Sequence, residues 1–133
     1  MYIMLKETNN WLKMVDYDLK TAEHMFETKR YIYVIFLCHL AIEKTLKAFV
    51  SEETKKFPPK THNLMYLTNV VKITFEKNFL DFIGIMNNVS IVTRYPEDIS
   101  KLVKYYPKNT AKEYLNKTKE IISWIKKDKR LEK

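Results

Sequence analysis

The sequence predicts an all-α fold, an up-and-down bundle of four to five helices, and three observations carry that reading. Glycine occurs once in 133 residues, at Gly84, and the four prolines fall at 58, 59, 96 and 107, so long stretches are free of helix breakers. Apolar residues recur at spacings of three and four rather than in alternation. The Asn-Gly and Asp-Gly pairs that tight hairpins favour are absent.

A chain of this length fits one domain, here residues 1–133 with a core over about 7–127 and a basic tail over 126–133. The 46% hydrophobic content is enough to build that core and excludes a disordered polar chain. Cys38 stands alone, so no intrachain disulfide forms, and its place in an apolar run suits a small packed hydrophobe. No apolar run approaches the roughly 20 residues that span a bilayer. With Lys6, Glu7 and Asn9 so early the start lacks a signal-peptide layout, and the expectation is a cytoplasmic protein without membrane contact.

The first helix is expected over about 7–28, where Trp11, Val15, Leu19, Ala22 and Phe26 trace one face and Lys13, Asp16 and Lys20 the other. The second runs over about 30–50. Its opening, Tyr31 to Phe36, has the β-propensity of a strand, but the pattern continues through Leu37, Ala41, Leu46 and Phe49 without a turn signal, which is helix length. Residues 31–42 are apolar on nearly every side. Such a helix is either enclosed by its neighbours or also faces a second subunit, and a homodimer is expected.

Phe57-Pro58-Pro59-Lys60 must be extended, because each proline fixes its own φ and restricts the residue before it. Thr61 reads as the N-cap of a short helix over about 62–72. A further helix over about 74–94 carries Phe79, Ile83, Met86 and Ser90 on one stripe, with Phe82, Val89 and Val92 beside it. Gly84 inside it costs about 1 kcal/mol relative to alanine, for which a close helix crossing would compensate. Residues 97–106 form a connector with room for one helical turn. Thr110-Ala-Lys-Glu113 matches a capping box that opens the last helix. Leu115, Thr118, Ile122 and Ile125 line that helix, and Lys126, Lys127, Lys129 and Arg130 crowd its end, where positive charge suits the dipole.

The net charge of +8 favours an anionic partner, nucleic acid or acidic protein. Lysine supplies most of it and arginine occurs only at 30, 94 and 130, so lysine-rich composition alone accounts for the charge equally well. Three clusters rise above helical packing. His39, Glu43 and Lys47 are four apart and share one helix face, where they suit a phosphate or proton-transfer site, or a structural ladder centred on Glu43. His62 and Asn63, after Thr61, suit either anion binding at a helix start or loop-organising hydrogen bonds. Arg94-Tyr95-Pro96 pairs a phosphate-binding guanidinium with a ring that stacks on bases, although Arg94 is equally placed to clamp Glu43. Zinc wants three or four ligands, the His39 face offers two and His24 lies on another helix, so neither a metal nor a cofactor is expected.

These motifs, in this order, resemble the HEPN family from about Trp11 to Trp124. The match rests on an Asp-Leu-x-x-Ala pattern at Asp18, Leu19 and Ala22, on the Glu43-Lys44-x-x-Lys47-Ala48 pattern, on Thr61-His62-x-Leu64, and on Arg94-Tyr95-Pro96. The resemblance implies a bundle similar to the accessory domain of kanamycin nucleotidyltransferase, dimerisation through the long helices, and a place beside a minimal nucleotidyltransferase in a two-component, toxin-antitoxin-like pair. On that basis a nucleotide or RNA would bind near Lys44, Lys47, His62, Arg94 and Tyr95, with His39 and Glu43 in support. Catalytic members of the family are metal-independent RNases with Arg-x(4–6)-His on a helix. Here Arg30 precedes His39 by nine positions and no histidine follows Arg94 or Arg130, so that motif is absent. A non-catalytic binding protein is therefore the leading expectation. The competing ones are an RNase toxin with a non-standard site built from His62 and Arg94, and a purely structural oligomerisation module.

Overall fold

The computed structural model describes residues 4–94, 99–128 and 131, with the side chains of 92–94 outside that description. Six helices occur among the described residues: α1 (Lys6–Glu27), α2 (Tyr31–Thr54), α3 (Leu64–Val70), α4 (Lys77–Arg94), α5 (Ile99–Tyr105) and α6 (Lys108–Lys126). The fold class is the predicted one. The count exceeds four to five because the 97–106 connector holds a helix of its own, α5, with seven residues.

α2 is the axis of the bundle and packs against each of the other five helices. This is what its composition demands. Val34, Ile35, Cys38, Ile42, Leu46 and Phe49 are buried together, and the core continues into Leu64 and Leu67 of α3, Phe79, Ile83 and Met86 of α4, and Leu115, Ile121 and Ile125 of α6. Enclosure of the apolar helix is thus largely achieved within one chain. Rings also pack onto α6, with Phe75 and Phe79 against Trp124 and Phe82 edge-on to Tyr114. Removal from water pushes the Cys38 thiol up to about 12, with the facing Thr118 hydroxyl acting the other way, as a packed hydrophobe requires.

α1 needs less apolar surface because polar bonds hold it. Lys44 donates to Asp18 at 2.7 Å across the α1–α2 contact. Lys119 of α6 donates to Glu23 at 2.7 Å and holds that carboxyl below its ordinary range. The C-terminal end of α2 extends past the predicted stop at 50, and its buried Glu52 accepts from the backbone N–H of Leu5 at 3.1 Å.

Three local expectations are corrected. α3 begins at Leu64 with Asn63 as its N-cap, the Asn63 side chain accepting from Tyr66 N–H at 3.0 Å, whereas Thr61 accepts from Asn63 N–H one step earlier. His62 consequently lies in the loop before the helix. α6 starts at Lys108 with Pro107 as N-cap and no side-chain cap bond, so Thr110 and Glu113 are interior residues rather than a capping box. Pro107 is extended, at φ −73° and ψ 175°, and no side chain caps the first turn. At Gly84 an added Cβ would meet only the Met65 sulfur at 3.9 Å, so there is no close crossing and nothing in the structure explains the glycine.

Candidate functional site

The site is assembled where the middle of α2 meets the loop that leads into α3. α2 presents His39, Glu43 and Lys47 on one face by helical spacing. The loop is set by Pro58 and Pro59, by Thr61 N–H donating to the Pro59 carbonyl at 3.0 Å, and by Leu64 N–H donating to the Asn87 side chain of α4 at 2.8 Å. These bonds bring His62 over Glu43.

Glu43 is the hub. Its side chain is only 5% exposed, and its two oxygens face different partners. One accepts from His62 Nδ1 at 2.9 Å, and the other accepts from Lys47 Nζ at 3.1 Å. His39 Nδ1 stands 3.8 Å from the first oxygen, while His39 Nε2 lies 3.1 Å from the His62 backbone carbonyl. A carboxylate and a carbonyl only accept, so the partners fix the proton positions: His62 donates through Nδ1 and His39 through Nε2. His62 therefore turns its Nε2 away from the carboxylate on a side chain that is 63% exposed. A carboxylate behind one ring nitrogen and solvent before the other is an arrangement suited to holding an anion or exchanging a proton with a ligand.

The sequence-predicted residues divide into three groups. His39, Glu43, Lys47 and His62 come together. Lys47 is engaged on two sides, by Glu43 and by the Trp11 ring 5.7 Å from its ammonium, and its side chain is 9% exposed. Lys44 points into the α1 contact and is paired with Asp18. Arg94 closes α4, but its side chain is outside the described atoms, and Tyr95 and Pro96 lie outside the described residues. Trp11 and Phe57, which border this cluster with ring centroids 6.3 Å apart, were not legible as site residues. Their one signal was an aromatic residue set before Pro-Pro. Among the described residues no three His, Cys, Asp or Glu side chains converge as a metal site would need, and no helix is long and apolar enough to cross a membrane.

These elements define an all-α bundle domain built on one central helix, with His39, Lys47 and His62 gathered around the buried Glu43. The sequence profile of the HEPN domain matches residues 8–129, and the chain belongs to the HEPN family. Two solved structures share the fold. TT1696 from Thermus thermophilus superposes with a TM-score of 0.77 at 16% identity, over 92% of this chain and 98% of that one. ST0689, described as an archaeal HEPN homologue, gives 0.73 at 20% identity, over 92% and 97%. Comparison with curated protein sequences returned no match.

Proposed function

We propose that this HEPN protein is a homodimeric binding partner of a minimal nucleotidyltransferase and holds RNA or a nucleotide at the Glu43–His62 site. The observation that carries the binding reading is the exposed His62 ring, held by the buried Glu43 carboxylate through Nδ1 and offering Nε2 to solvent. The net charge of +8 favours an anionic ligand there. The nucleotidyltransferase partnership, in a two-component, toxin-antitoxin-like arrangement, extends this reading from the family. A second subunit is favoured by exposed Tyr33, Ile99 and Val103, which border a groove of about 230 Å³ between the start of α2 and α5.

The same His62–Glu43 geometry also favours a second reading, a metal-independent RNase in which His62 exchanges a proton with the 2′-hydroxyl. One experiment addresses both. Labelled RNA and ATP are titrated into wild type and His62→Ala, with cleavage followed in the same samples and mass by light scattering. The expected result is binding weakened about tenfold or more in the variant, no cleavage by either protein, and the mass of two chains. His62-dependent cleavage would replace the binding reading with the RNase one, and equal affinity of the two proteins would remove His62 from the site.

A further inference from the structure

Phe57 is 70% exposed, which is unusual for a phenylalanine in a well-packed loop, and it is not held loosely. It precedes Pro58, whose ring is buried, and the Pro58-Pro59 pair restricts its backbone to the extended region. Phe57 lines two shallow grooves, and Glu7 lines both as well. One, of about 280 Å³, is also lined by Asn10, Trp11 and Met14. The other, of about 270 Å³, is also lined by Ser51, Lys55 and Lys56. Lys60 places its ammonium 5.9 Å from the Phe57 centroid, and Lys47 joins Trp11 to Glu43 and so to His62. Glu7 is the one carboxylate among the residues lining the two grooves.

An exposed ring that lines two grooves, with Lys56 and Lys60 beside it and Lys55 paired with Glu52, suits a ligand that is planar and apolar in one part and anionic in the other. We propose that Phe57 is a stacking wedge for single-stranded RNA, with one base laid in the Trp11 groove, another in the lysine-flanked groove, and the backbone continuing to His62. This rests on the binding reading above and narrows its ligand. A duplex, whose bases are already stacked on one another, offers the ring no free base face, so a single strand is the expected ligand. Stacking on the ring tolerates any base, so little sequence preference is expected.

The test uses the full chain and a fluorescein-labelled oligouridylate of about ten nucleotides, followed by anisotropy. Loss of one base–aromatic stack corresponds to about 5- to 150-fold weaker binding, expected for Phe57→Ala, while Phe57→Trp stays within about threefold of wild type. Lys60→Ala is expected to reduce the salt dependence by about one ion. If Phe57→Ala binds as wild type does on a strand that His62→Ala weakens, the wedge is wrong and the His62 site stands. The converse pattern supports the wedge and removes His62. Equal affinity for a duplex of the same length, or tighter Phe57-dependent binding of a polyglutamate peptide, overturns the assignment to single-stranded RNA.

Discussion

Replacing Glu43 with alanine is expected to lower the folding free energy by about 3–5 kcal/mol, a large share of the total for a domain of this size. The magnitude follows from what the substitution leaves behind rather than from the worth of the ion pair itself. Lys47 is 9% exposed and loses its carboxylate partner at 3.1 Å, keeping the Trp11 face 5.7 Å away, while His62 loses the acceptor for its Nδ1 proton. Glu43→Gln keeps an acceptor for His62 and costs less. The double variant Glu43→Leu with Lys47→Met removes both buried charges and recovers most of the loss, with methionine taking the place over the indole. Urea unfolding reads this as a fall in midpoint at unchanged slope. A loss below about 1 kcal/mol for Glu43→Ala would mean that the carboxylate is better hydrated than its burial implies.

His39→Ala is expected to cost about 2–4 kcal/mol, through the cavity left by a fully buried ring and through the His62 carbonyl losing its donor at 3.1 Å. The loss should be local as well as global. His39 supplies one of the two bonds described between residues 57–64 and α2, the other running from His62 to Glu43, so amide exchange across that loop is expected to accelerate more than exchange in α6. His39→Gln, which keeps an N–H donor, is expected to restore part of the stability, and His39→Leu is not. Equal stabilities for the leucine and glutamine variants would show that volume alone matters at this position.

The long helices were legible because α1, α4 and α6 carry periodic apolar faces and the apolar run of α2 is too long for a strand. Ile35, Ile42, Leu46 and Phe49 on α2 and Leu115, Ile122 and Ile125 on α6 are all buried. Helix ends were less legible, since neighbouring residues compete for the same role. Thr61 and Asn63 are both good caps, and Asn63 takes the position in a loop that is also tied down by Asn87, whose side chain bonds a backbone 23 positions away. At α6 it is Pro107 rather than Thr110 that stands at the N-cap. Within the site, the ladder of His39, Glu43 and Lys47 follows from helical spacing, whereas the arrival of His62 depends on a tertiary fold and that of Lys44 on Asp18, 26 positions apart. Lys44, a candidate ligand through the family resemblance, is committed to holding α1. Exposure decided the importance of Phe57, and exposure is not written in a local pattern.

In the proposed site Glu43 holds His62 through Nδ1 so that Nε2 meets the ligand. Imidazole ¹H–¹⁵N correlation spectra of the ¹⁵N-labelled protein, with His62 assigned through His62→Gln and recorded with and without single-stranded RNA, test it most directly. The account predicts a proton on Nδ1 in the free protein and a ligand-induced shift concentrated at Nε2. A free protein whose His62 carries its proton on Nε2 alone, or a ring whose two nitrogens are unmoved by saturating RNA, would contradict it.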